Sequence, residues 1–436
     1  MKQPVKNNPG WRVALAGTGI NLALGVLYAW SIFKGAIAES VASGGAGAFS
    51  WDPASINDPY AVACLSFAFS MIVAGKCQDK FGPRTTAVLA GLLVGAGFII
   101  ASQTTSYWLW ILGFGVIAGA GMGFGYSAAT PPALKWFPPA KTGLIAGIVV
   151  SGFGLAPVYI APLTMFLLGS VGLQTSMFGF GIVFTLVVAG LGMLIADPPP
   201  GYVANQAGTS RPQPQKESGI EVSPSQLFRD GRFYTLWAIY FIGAGAGLMV
   251  IGSLAGLAKQ SMGSLAFLAV AIMAIGNAGG RIVAGVISDR FGRANTLMVM
   301  LVFQAVLMLV AIPVMGGGRD SAFVLTLLAT FIGFNYGTNL SLFPSFAKDF
   351  WGLKHFGTNY GLLFTAWGFG GLVLVRIAET LKASSGSFST SFAVAAVLLL
   401  IAANFSLSLR SAKLPATVSS PSAAAGEEVL ALSPAE

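Results

Sequence analysis

Arg281 is the only charged residue between Leu265 and Asp289, in an apolar run that closes at Arg293. A cation in the middle of an apolar span costs about 2.5 to 3.5 kcal/mol on insertion scales, so it is rarely kept without a partner. Its planar fork of donors reads a carboxylate two hydrogen bonds at a time. Arg281 is therefore read as the seat of an anionic substrate. The competing reading is a structural arginine satisfied by backbone carbonyls or by a carboxylate on another helix. Asn277 stands one turn earlier on the same helical face and adds an amide to the recognition. Asn21, Gly25 and Tyr28 likewise share a face, and Tyr28, Tyr126 and Tyr336 offer hydroxyl donors on apolar rings. Each tyrosine serves equally well as helix packing, and Asn335 and Asn339 are as ambiguous.

Such a constellation needs apolar elements to hold it. Of the 436 residues, 55% are hydrophobic and 9% charged, against about 25% charged in an ordinary soluble domain. This is the composition of an all-α integral membrane protein. The +9 formal charge comes without a basic tract of five or six, so it points to loop topology and away from nucleic acid. The run from Val13 to Phe33 is too long for a signal-peptide core and is expected as the first span. At about twenty apolar residues per crossing, further spans fall near 59–78, 85–102, 107–130, 142–168 and 175–196. Six more fall near 233–257, 264–288, 295–315, 321–345, 357–380 and 388–409. The expected division is a first six-helix half over 1–196, a flexible linker over 197–232, a second half over 233–410 and a disordered tail over 411–436. With both termini inside, eighteen Lys and Arg fall on cytoplasmic segments and four (Lys34, Lys259, Arg319 and Lys382) outside. That asymmetry predicts a multi-pass protein of the cell membrane with both ends cytoplasmic.

The halves echo each other at an offset of 210 residues: Asp79-Lys80-Phe81-Gly82 matches Asp289-Arg290-Phe291-Gly292, and Gly123, Phe124 and Tyr126 match Gly333, Phe334 and Tyr336. A shared offset in two unrelated segments argues for duplication. The segment Gly285 to Arg293, with its first copy from Gly75 to Arg84, resembles the short loop motif of the major facilitator superfamily. The resemblance implies twelve transmembrane helices in two pseudo-symmetric six-helix halves. Asp79, Lys80, Arg84, Asp289, Arg290 and Arg293 are then gating and loop groups, with each aspartate able to meet basic residues or a helix N-terminus.

Finer resemblance points to the oxalate:formate antiporter and monocarboxylate transporter group. It rests on Gly25-Val-Leu-Tyr28-Ala-Trp30, Lys135-Trp136-Phe137-Pro138, Asn277-Ala-Gly-Gly-Arg281, Leu342-Phe343-Pro344 and Asn359-Tyr360-Gly361. It implies that Arg281 binds the substrate carboxylate. Two departures matter. Trp367 stands where oxalate carriers are expected to have a lysine, which leaves a dianion facing one buried cation. Asn277 stands where many animal monocarboxylate carriers have an aspartate tied to proton coupling, so a proton, if one moves, travels with the substrate carboxyl. Arg376 and Glu379 are i,i+3 neighbours expected to pair at the outer mouth, with a second substrate site at Arg376 as the other reading.

The expectation is a secondary active transporter of small monocarboxylates (lactate, pyruvate, formate) by proton symport, acting as a monomer among membrane lipids, with no cofactor, metal or nucleic acid. Oxalate:formate exchange is the alternative, and a passive anion channel is a third reading. An enzyme needs a nucleophile and base, or paired carboxylates, at one depth, and neither pattern is present. The Gly119-Ala-Gly121-Met-Gly123 and Gly243-Ala-Gly245-Ala-Gly247 runs are read as close helix packing, and the lone His355 as a loop residue. Cys64 and Cys77, thirteen residues apart on one helix, are about 20 Å apart and cannot form a disulfide.

Overall fold

The computed structural model describes residues 9–409 apart from 46, 139–140, 200–201, 203–220, 317–321 and 353. The expected tail over 411–436 and most of the expected linker lie outside the described residues. Eleven helices are long and apolar enough to cross a membrane, and the longest, Asp58–Ser102, has 45 residues. It is two spans, because Gly82 inside it takes φ 80° and ψ 165° and Pro83 follows. A positive φ is open to glycine at no steric cost, and proline cannot continue a ladder it has no N–H to join. The chain therefore crosses twelve times within the described residues, as expected.

The spans are α1 (Pro9–Ser43), α2 (58–81), α3 (83–102), α4 (Tyr107–Lys135), α5 (Gly143–Ser170) and α6 (Gly172–Gly192) in the first half. The second half holds α7 (Gly231–Lys259), α8 (Gly263–Phe291), α9 (Arg293–Val314), α10 (Ala322–Trp351), α11 (Phe356–Lys382) and α12 (Ser389–Ser408). Gly292, between α8 and α9, has φ 86° and so repeats the Gly82 turn, while Gly172 opens α6 and Gly386 stands three residues before α12 at φ 78° and 77°. The duplication is thus carried by backbone shape as well as by side chains.

Small residues let the helices touch. In α8, Gly276 and Gly280 form a small-xxx-small stripe; a Cβ on Gly276 would lie 2.2 Å from the Thr330 carbonyl of α10. Packing of this kind drives association where lipid removes the hydrophobic gradient. The expected glycine runs behave alike: a Cβ on Gly119 would lie 2.7 Å from the Ala63 carbonyl, and one on Gly245 2.8 Å from the Gly370 carbonyl.

The halves meet along two symmetry-related pairs, α2 with α11 and α5 with α8. At the end that carries the loop motifs, the contact is backbone on backbone. A Cβ on Gly75 would lie 2.6 Å from the Gly357 backbone, and one on Gly143 2.5 Å from the Gly285 carbonyl. At the opposite end two ion pairs cross between the halves, Arg376 with Asp58 at 2.6 Å and Lys34 with Glu379 at 3.3 Å. The halves thus touch at both ends of the interface.

The end of the expected linker is folded against the second half. Ser223 caps a single helical turn, Pro224–Leu227, in a reciprocal capping box with Gln226. The Val222 amide donates to the Trp351 carbonyl, and Asn359 donates to the Val222 carbonyl at 2.9 Å. Asp230 caps α7 and accepts from Trp351 Nε1 at 3.0 Å. This corrects the expectation of a wholly flexible linker: buried polar groups at the ends of α10 and α11 need these partners.

Candidate functional site

The inward stripe of α8 carries Arg281, which is 0% exposed. Its Nε donates to Asn277 Oδ1 at 3.0 Å, one terminal nitrogen donates to the Val150 carbonyl of α5, and the other reaches Tyr28 Oη at 3.4 Å. Among the described residues no carboxylate lies within ion-pair distance of it. A full positive charge is thus buried against neutral acceptors, two of them on the other half of the molecule.

Tyr28 owes its position to a local change of helix type. From Gly25 to Ala29, α1 tightens into a 3-10 turn. A Cβ on Gly25 would lie 2.3 Å from the Phe153 carbonyl, so glycine alone allows α1 to lie against α5 there. Tyr28 Oη and Tyr336 Oη are 2.7 Å apart, and Trp367 Nε1 donates to Tyr336 Oη at 2.7 Å. Arginine and indole only donate. Of the two hydroxyl hydrogens in this chain, one joins the tyrosines and the other remains free to donate.

The walls are glycine and aromatic. A Cβ on Gly154 of α5 would lie 2.9 Å from Asn277 Oδ1 and 3.0 Å from Arg281 Nε, and one on Gly337 of α10 would lie 2.1 Å from the Asn277 carbonyl. Phe153 packs edge-on to Tyr28 with ring centroids 4.9 Å apart, and Phe67 lies 5.2 Å from Trp367.

The structure brings together Arg281, Asn277, Tyr28, Tyr336 and Trp367. Tyr126 is buried a ring further off, 5.7 Å from Phe153. Two expected ligands serve the scaffold. Asn21 donates to the Val149 carbonyl at 2.9 Å and ties α1 to α5. Asn335 donates to the Met300 carbonyl of α9 at 2.6 Å, so its amide nitrogen ties α10 to α9, while its Oδ1 is buried without a partner. Arg376 and Glu379 do not pair with each other. Arg376 takes Asp58, and Glu379 takes Lys34 and accepts from Ser253 at 3.1 Å. The i,i+3 pair yields because α1 and α2 bring an opposite charge to each group.

The loop-motif charges stand at the other end. Arg293 bridges Asp289 at 2.6 Å and Asp349 at 3.1 Å. A Cβ on Gly143 would lie 2.7 Å from Asp289 Oδ1, which puts that carboxylate at the N-terminus of α5 in the other half, where the helix dipole favours it. Asp79 lies within electrostatic reach of Lys135 and His355, while Lys80, Arg84 and Arg290 are exposed. Sequence reasoning missed Val150, Phe153, Gly154 and Gly337. A main-chain carbonyl leaves no mark in a sequence; the small residues of α5 were the available signal.

Residues 13–375 match the family model described as Major Facilitator Superfamily. The chain is similar to YhjX of Escherichia coli (strain K12), described as an uncharacterized MFS-type transporter, at 28% identity over 369 residues, 83% of this chain and 85% of that one. It is also similar to the oxalate:formate antiporter of Oxalobacter formigenes, 26% identical over 389 residues that cover 87% and 86% of the two chains. Among solved structures, FucP in the outward conformation aligns with a TM-score of 0.61 at 17% identity, covering 92% of this chain and 100% of that one. That likeness concerns the fold alone.

Proposed function

Because the chain belongs to the Major Facilitator Superfamily, we propose that it is a secondary active transporter of small carboxylates, carrying monocarboxylates such as lactate, pyruvate or formate by proton symport through alternating access. The observation that supports this most is the buried Arg281 guanidinium with no acid beside it. One carboxylate neutralises it, whereas a dianion leaves a net negative charge in an apolar site. Trp367, at the position where oxalate carriers are expected to have a lysine, adds bulk and an indole in place of a second cation.

Binding and movement are coupled through the same nitrogens. A carboxylate that takes the guanidinium fork competes with the Val150 carbonyl and Tyr28 Oη, and both belong to the first half. Substrate thereby exchanges bonds between the halves for bonds to itself. The loop-motif end faces the cytoplasm in this reading, and the Lys34 and Arg376 ion pairs face outward. Among the described residues no acid stands beside Arg281, so in this reading the proton is not held on a side-chain carboxyl there and enters together with the substrate.

Oxalate:formate type exchange is the second reading, favoured by the similarity to the Oxalobacter formigenes antiporter. Uptake of labelled lactate, pyruvate, formate and oxalate into proteoliposomes, with and without a pH gradient, separates the two. Symport is expected to accelerate monocarboxylate uptake when the outside is acid. Faster oxalate uptake, driven by internal formate and indifferent to the gradient, overturns it. Counterflow by unlabelled substrate on the far side excludes a channel.

A further inference from the structure

Beyond the Arg281 cluster, three more tyrosines surround a single ring. Phe364 of α11 has its ring centroid 5.5 Å from Tyr126 of α4, 5.7 Å from Tyr240 of α7 and 5.7 Å from Tyr360 of α11. All three are buried. Their hydroxyls neighbour one another, Tyr360 interacting with both Tyr126 and Tyr240, at a geometry that leaves none of the three with a well-formed hydrogen bond. Buried hydroxyls that pair poorly are costly, and three around one ring supply polar atoms that phenylalanine, the better packing residue, would not.

The cluster is continuous with the Arg281 site. Phe364 lies 5.0 Å from Trp367, and Phe153 touches both Tyr126 and Tyr28. Asn339 Oδ1, also buried and unpaired, belongs to the same layer: its amide would meet a Cβ on Gly243, one turn after Tyr240. Phenol hydroxyls are neutral donors and acceptors. They suit an uncharged oxygen, a hydroxyl or a keto group, better than a second carboxylate, for which this layer has no cation of its own.

We propose that Tyr126, Tyr240 and Tyr360 form an uncharged second subsite that takes the non-carboxylate oxygen of the substrate, so that 2-hydroxy and 2-oxo monocarboxylates are preferred over plain acids of the same length. This rests on the carboxylate reading of Arg281. Lactate and propionate make the comparison, since both have three carbons and only lactate carries the extra oxygen.

The experiment titrates purified protein with lactate, pyruvate and propionate, following tryptophan fluorescence, for which Trp367 is a reporter beside the site. Wild type is expected to bind lactate and pyruvate about two- to tenfold more tightly than propionate, the worth of one hydrogen bond. Tyr240→Phe and Tyr360→Phe are expected to bring that ratio toward one, leave propionate affinity unchanged and leave the melting temperature unchanged or raised. That last result follows if the lost hydroxyl had no partner in the fold. Equal affinities in wild type, or equal loss of all three acids in the variants, overturn the subsite. Arg281→Gln in the same titration is expected to lose lactate and propionate alike. If it retains both, the carboxylate reading fails, while the lactate-to-propionate ratio still reports on the tyrosines. If wild type binds none of the acids, both readings fall.

Discussion

Arg281 holds three directions at once, toward Asn277, Val150 and Tyr28, and only a planar fork does so. Arg281→Lys is therefore expected to keep the charge and lose transport, with substrate affinity down by at least tenfold; uptake at near wild-type rate and affinity would refute bidentate recognition. Tyr28→Phe removes one hydroxyl from the chain to Tyr336 and is expected to weaken affinity by about 0.5 to 1.5 kcal/mol, read as a shift in the half-saturating substrate concentration. Trp367→Lys is expected to shift selectivity toward oxalate, measured by competition against a labelled monocarboxylate. Much at this scale was legible in the sequence. A lone arginine in an apolar span, an amide one turn away and a tyrosine at a repeated offset are visible as letters. The Asn335 side chain was not, because nothing in the letters says which neighbouring helix its amide will meet.

Helix pairs join the halves at both ends of the site. On α2 and α11 the approach at the loop-motif end depends on Gly75, whose Cβ would lie 2.6 Å from the Gly357 backbone. Gly75→Val is expected to hold that end apart and abolish transport while the protein still inserts. Cys64 provides a native reporter at the far end of the same pair. It is buried, and a Cβ on Gly371 of α11 would lie 3.4 Å from its Cβ. In a Cys77→Ser background, Lys34→Ala with Arg376→Ala is expected to speed its labelling by a membrane-impermeant maleimide several-fold; an unchanged rate would mean the ion pairs do not hold that end shut. These pairs also mark the limit of the sequence. Spacing along one helix suggested Arg376 with Glu379, whereas the partners come from α1 and α2, whose arrival depends on the complete fold.

The whole molecule is two copies of one plan, and that was the most legible fact of all, since matched letters at one offset became matched turns at Gly82 and Gly292. The stretch joining the copies was read less well. Its Ser- and Pro-rich composition hid an anchor at Asp230, which caps α7 and accepts from Trp351. Burial alone would raise the Asp230 carboxyl, but Arg232 and Trp351 outweigh it and hold it below the usual aspartate range. A depressed carboxyl contributes its stability in full above the ordinary aspartate range and loses it as the pH falls through the lowered value. Asp230→Asn keeps the cap and is expected to flatten the acid limb of thermal stability against pH; an unaltered limb would assign that dependence elsewhere. The two closures of the interface, finally, are of unlike material, since one is bound by four partly exposed charges and the other by bare glycine backbone. Exposed charges are screened over about 8 Å at physiological ionic strength, and backbone contact is not. If the proposed alternating access holds, salinity on one side of the membrane is expected to tune one stroke of the cycle and spare the other, so that the resting bias would be set partly by the medium the protein faces.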